Sequence, residues 1–201
     1  MISAKLIVIA TLSLCAVGYI NAADDVLPSD PALLARYVIH KAEWVSLATI
    51  SSLKGYTGYP YVSLKSTSDG PKGKPSGIAY LYLTDWETTS KDLEKDDRVT
   101  IMASLAQTDY CKKKNIDQQN PICPKVFIIG KIVKLEKSTP EYVFGRNALL
   151  EKHPEMKSWP EDHGFYVAKV DPILIRLLGH HGPVKEISKD AYLSADVTSL
   201  I

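Results

Sequence analysis

Apolar and β-branched residues in this chain fall mostly in short runs bounded by Gly, Pro, Asp and Lys. Trp44-Val45-Ser46-Leu47-Ala48-Thr49-Ile50-Ser51 alternates apolar with small or polar positions, the period-two signature of a half-buried strand. The same reading predicts strands over 60–66, with Tyr61-Val62-Ser63-Leu64 at the centre, over 78–83 behind Gly77, over 98–105 and over 126–135. Two more are predicted over 165–170 and 173–178, split at Asp171-Pro172. Gly130, inside its run, marks a bulge or a close backbone approach. Helical spacing is rarer. Ser29 or Asp30 caps a helix over 29–44, with Pro31 in its first turn and Leu33, Leu34, Tyr37 and Val38 as its apolar stripe. Ser138 or Thr139 opens a second helix, with Glu141 available for a capping box, and it stops near Lys152 before Pro154. Asp85 is placed to cap a third, short helix carrying Trp86 and Leu93. Residues 54–59 and 179–183 read as turns, 68–77 as a Gly- and Pro-rich loop, 153–164 as a connector, and the end of the chain as a polar tail. Six or seven antiparallel strands with helices inserted between them give a mainly β (α+β) domain. A closed or split barrel is the economical arrangement, because closure removes exposed strand edges.

One polar stretch between two of these strands carries candidate chemistry. Thr88-Thr89-Ser90-Lys91 brings hydroxyls and an ammonium to a helix end, which is what a phosphate group needs. A solvated, capping turn is the alternative for such a composition.

The start of the chain bears on where the protein works. Lys5 precedes an apolar run from Leu6 to Ile20, and Ile20-Asn21-Ala22 supplies a small-residue cleavage site, so residues 1–22 read as a signal peptide and 23–201 as one secreted domain. That run is too short for a membrane anchor and no second span follows. With 24 basic and 23 acidic side chains, the net charge of +1 favours neither nucleic acid nor an anionic membrane. Lys112-Lys113-Lys114 is the one basic run and reads as a solvated loop. Cys15 leaves with the leader, so Cys111 and Cys123 remain as a pair in an oxidising compartment, which implies a disulfide. Closing the polar loop between them contributes about 3 kcal/mol in the chain-entropy picture.

Other candidates are weaker. His180-His181 in a Gly-flanked turn could bind metal, but exposed, inert histidines are the commoner outcome. His153 and His163 bracket the connector and could face a dimer cleft, but hydrogen bonds to the connector are the commoner outcome. Trp44, Trp86 and Trp159 are read as core or interface residues. Neither a Gly-x-Ser-x-Gly elbow nor a cysteine nucleophile is present, so nothing in the sequence argues for an enzyme.

Several motifs are similar to one family. They are the 44–51 strand, Val62-Ser63-Leu64, Ser68-Asp69-Gly70-Pro71, Leu105-Ala106-Gln107-Thr108, Cys111-Lys112-Lys113, Gly182-Pro183 and, most distinctive, His153-Pro154-Glu155-Met156-Lys157-Ser158-Trp159-Pro160. Over about residues 31–193 the chain resembles the CREG family of secreted "cellular repressor" glycoproteins. The resemblance implies a six-stranded FMN-binding-type split barrel, related to the pyridoxamine-phosphate oxidases and assembled as a homodimer. It further implies a regulatory role in growth control, differentiation and endolysosomal maturation, exerted through a cell-surface or endolysosomal receptor. FMN is the cofactor to consider. In flavin-binding relatives a hydroxyl, a basic residue and Asn-Leu precede an Arg-Val strand. Ser90, Lys91, Leu93 and Arg98-Val99 match that pattern, whereas Asp92 stands in place of the Asn. Ser63 and Thr84 match further polar positions of the flavin cleft, so Ser63, Thr84, Ser90 and Lys91 are the expected cofactor-binding set of an oxidoreductase or flavin-binding alternative. Family members are glycosylated, yet Asn21, Asn115, Asn120 and Asn147 each lack the following Ser/Thr of a sequon. Secretion is therefore expected, and glycan-dependent sorting to the endolysosomal lumen is not.

Overall fold

The structure, a computed structural model, describes residues 26–179 and 182–200. The signal-peptide reading of residues 1–22 and the His180-His181 pair lie outside the described residues. Seven strands form one antiparallel sheet: β1 (Trp44–Ile50), β2 (Pro60–Ser68), β3 (Tyr80–Thr84), β4 (Arg98–Ser104), β5 (Lys125–Lys134), β6 (Phe165–Leu178) and β7 (Lys185–Ile187). Their order is β3-β2-β1-β4-β5-β6-β7, and β3 also pairs with β6. That extra pairing, Tyr80↔Lys169 through Thr84↔Phe165, closes six strands into a barrel and leaves β7 as an appendage on β6. Closure is thin at one seam. β2 and β3 share only Thr67↔Leu81 and Ser68↔Tyr80, so residues 60–66 of β2 pair with β1 alone.

Alternation along the strands sorts side chains between two cores. Leu81 and Leu83 of β3 and Ala168 and Val170 of β6 point into the barrel with Val45, Leu47, Ile101, Ile128 and Ile175. The intervening Tyr80 and Val167 face outward into a second cluster with Leu149, Leu150 and Met156. Helix α1 (Pro31–Lys41) packs Leu34, Val38 and Ile39 into the first core, and α4 (Pro140–Lys152) covers the second. Both helices begin as predicted: Asp30 accepts from the Leu33 N–H at 2.7 Å and Thr139 from that of Tyr142 at 3.2 Å. Glu141 does not form the expected capping box. It lies one position too early and binds Lys169 of β6 at 2.7 Å instead. Cys111 and Cys123 are disulfide-bonded and buried, pinning the excursion between β4 and β5.

Four expectations fail locally. The two strands predicted around Asp171-Pro172 are one continuous β6. The register shift between Ile129 and Gly130 already breaks the ladder opposite Pro172, so the missing proline N–H is tolerated there. A Cβ at Gly130 would stand 2.2 Å from the Asp171 carbonyl oxygen, the close approach its position implied. Asp85 caps nothing. It is exposed, and α2 (Thr88–Leu93) starts after Glu87, whose side chain makes no capping bond. Two of the three lysines expected in a loop belong to a short helix, α3 (Asp109–Lys113), capped by Thr108. The polar tail is instead β7 followed by α5 (Lys189–Ser194), which buries Tyr192 completely against α1.

Candidate functional site

Strand β2 has reversed polarity for a barrel strand. Ser63, Lys65 and Thr67 lie on its inward face, and Lys65 and Thr67 are buried, whereas Val62 and Leu64 on the other face are each 60 % exposed. A buried ammonium needs a partner, and Lys65 finds one in Glu87 at the start of α2. Sequence reasoning did not single out Lys65. The signal was present, because a lysine two places from Ser63 shares its face of a strand.

Of the expected phosphate-holding hydroxyls, Ser63 and Ser90 lie at α2 and Thr84 does not, and all three are already engaged. Ser63 and Thr89 hydroxyls hydrogen-bond at 3.0 Å. Ser90, only 3 % exposed, shares a 2.8 Å bond with the Tyr166 hydroxyl of β6. Burial pushes the Tyr166 phenol above its usual range, and the Ser90 bond partly offsets that shift. Thr84 is apart from this group and donates to the His163 carbonyl. Lys91 is exposed although its neighbour Ser90 is buried. Asp92, the departure from the flavin-type pattern, is completely buried. Its carboxylate accepts from the Ser52 N–H at 2.6 Å, the Ser52 hydroxyl at 2.8 Å and the Thr49 hydroxyl at 3.1 Å, tying α2 to the β1–β2 corner.

A flavin phosphate fits this arrangement poorly. Ser90 is buried and bonded to Tyr166, Ser63 is bonded to Thr89, and Glu87 already takes the buried Lys65 ammonium that would otherwise meet a dianion. Neither histidine ring bonds the connector as expected: that of His163 stacks on Trp86 at 4.1 Å, and His153 donates from Nε2 to the Thr67 carbonyl of β2 at 3.0 Å. Trp86 is 63 % exposed rather than part of a core. No trio of His, Cys, Asp or Glu suited to a metal occurs among the described residues.

Residues 27–194 match the family described as CREG, beta-barrel. The chain belongs to the CREG family. It is 41 % identical to protein CREG1 of Gallus gallus over 167 residues, covering 82 % of this chain and 86 % of that protein. It is 35 % identical to protein CREG1 of Homo sapiens over 168 residues, covering 84 % and 76 % respectively. A solved heme-binding protein from Mycobacterium smegmatis superposes with a TM-score of 0.67 at 20 % identity. The match takes in 85 % of this chain but only 63 % of that one, and it shows the shared barrel alone. The split barrel expected from the family resemblance is therefore the fold of this CREG-family chain. Among its described residues no helix is long and apolar enough to cross a membrane.

Proposed function

We propose that this CREG-family chain is a secreted, homodimeric regulatory protein of growth and differentiation that acts through a protein receptor and not by catalysis. The reversed polarity of β2 carries this reading. Val62 and Leu64 project from the part of β2 that pairs with β1 alone, and Leu53, Tyr56 and Tyr59 of the adjoining corner are each more than half exposed. A cluster of exposed large apolar side chains on one hairpin is costly in water unless a partner covers it. A second copy is the economical cover, because the same hairpin on both subunits makes a self-complementary two-fold contact. The hydroxyls of Ser63, Thr84 and Ser90 support the non-catalytic part, since their internal bonds hold the barrel wall together in place of a cofactor. An FMN-dependent oxidoreductase or FMN-binding protein, with the phosphate near Ser90 and Lys91, is the competing reading, and the engaged hydroxyls and the buried Asp92 carboxylate weigh against it.

Light scattering on the secreted protein tests the assembly. The wild type is expected at twice the chain mass, and the Val62→Glu/Leu64→Glu double variant at one chain mass with an unchanged far-UV circular dichroism spectrum. Both positions are exposed, so the substitutions place charge at the interface without burying any in the fold. A wild type that is monomeric at micromolar concentration, or a double variant that stays dimeric, would reject the β2 face as the contact.

A further inference from the structure

The most distinctive run of the chain, His153 to Pro160, touches β2 through the His153 bond to the Thr67 carbonyl, and its remaining residues face elsewhere. It forms one wall of a separate cleft of about 310 Å³ outside the barrel, between the connector, α4 and the β3–β6 seam. The floor is aromatic. Tyr82 of β3 stacks with Phe165 of β6 at 5.0 Å, and Trp159 packs on both at 6.0 and 5.1 Å. Lys137, Arg146 and Lys157 line the same cleft from three different segments, against a single carboxylate, Glu161. The volume is at the lower end of ligand sites, which span roughly 300–1,000 Å³.

We propose that this cleft binds a sulfated sugar. Three cations against one carboxylate select a ligand carrying more than one negative charge, and guanidinium and ammonium groups match the oxygens of an ester sulfate. The hydroxyls of Tyr82 and Tyr142 line the same cleft and match the ring hydroxyls of a pyranose, which a flat base lacks. Tyr82 contributes a donor: burial pushes its phenol above the usual range although Arg146 acts in the opposite sense, so it holds its proton at neutral pH. The walls are held in place before any ligand arrives. Met156, next to Lys157, is buried in the outer core, and His153 fixes the start of the connector through its bond to the Thr67 carbonyl.

The test is an NMR titration of the full secreted protein with a trisulfated heparin disaccharide. Its desulfated counterpart, inorganic sulfate and glucose 6-phosphate serve as comparisons. The sulfated disaccharide is expected to shift resonances of Tyr82, Trp159 and Phe165 and to lose affinity as salt rises to about 0.5 M. The desulfated sugar should not bind. Arg146→Glu combined with Lys157→Glu, both at exposed positions, should weaken binding by about tenfold or more. Lys112→Glu with Lys113→Glu on α3 should leave it unchanged. Absence of binding, or binding lost with the α3 variant instead, would overturn the assignment. Inorganic sulfate binding as tightly as the disaccharide would reject the sugar, and tighter binding of glucose 6-phosphate would reject the sulfate.

Discussion

Replacing Tyr192 by alanine is expected to destabilise the fold by about 3–5 kcal/mol, the range for deleting a large buried aromatic ring. The side chain is fully buried and its hydroxyl donates to the Gly77 carbonyl at 2.8 Å. Beside it lies Arg36, 3 % exposed, with its guanidinium 5.7 Å from the Tyr192 ring centre. Arg36 donates to the carbonyls of Leu193 at 3.0 Å, Ala195 at 2.9 Å and Pro75 at 2.9 Å, so one buried cation ties α1, the 68–77 loop and the C-terminal segment together. Gly77, at φ +78°, passes so close that a Cβ there would sit 2.5 Å from the Arg36 Nε. Removing the ring opens a cavity and strips the packing from a charge that depends on carbonyl oxygens for its solvation. Urea or thermal unfolding measures the loss, at about 2–4 °C in Tm per kcal/mol for a domain of this size. Tyr192→Phe keeps the volume and should cost only about 1 kcal/mol. A loss below about 1 kcal/mol for Tyr192→Ala would mean that α5 is not integral to the core.

Asp92→Ala is expected to cost about 3 kcal/mol, because it leaves the Ser52 N–H and two hydroxyls without an acceptor in a buried corner. Asp92→Asn retains one acceptor oxygen, and the Thr49 hydroxyl can turn to receive the new amide donor, so it should recover more than half of that loss. This pair of variants separates two roles for the carboxylate. A residue that merely repels phosphate would leave the stability of the ligand-free fold unchanged when neutralised. A residue that fastens α2 to the β1–β2 corner destabilises it when deleted, and that is the expected result. Equal stability of Asp92→Ala and the wild type in denaturant titration would contradict the structural role.

The strands were legible from short apolar and β-branched runs and the helices from the Asp30 and Thr139 caps, which act within three residues of themselves, whereas the split barrel was implied by the family resemblance. The disulfide was legible from compartment and count. What was lost depends on longer reach. Pro172 looks like a strand break until the Gly130 bulge opposite it, 42 positions earlier in the chain, is known to have opened the ladder already. Residues 189–194 hold only Ala191, Tyr192 and Leu193 as apolar positions, too few for a helical stripe, and α5 exists because Arg36 and Gly77 receive it. The candidate site divides the same way. Ser90 and Lys91 stood out by composition, and Ser63 and Thr84 by the family resemblance, but Thr89, His163 and Tyr166, the partners of Ser63, Thr84 and Ser90, come from other elements. Asp92 marked a departure from the flavin pattern in the sequence, and only the fold shows that its carboxylate turns inward to Ser52 and Thr49.

The central claim is that the barrel holds its own side chains where flavin-binding relatives hold a phosphate. A visible absorption spectrum of the purified protein, before and after excess FMN and desalting, tests it most directly. The account predicts no flavin band in either sample, for the wild type and for Asp92→Asn alike, and, on the proposed function, Lys91→Glu leaves secretion and dimerisation intact. A stoichiometric flavin band that survives desalting and disappears in Ser90→Ala or Lys91→Glu would contradict it and make this chain a flavoprotein.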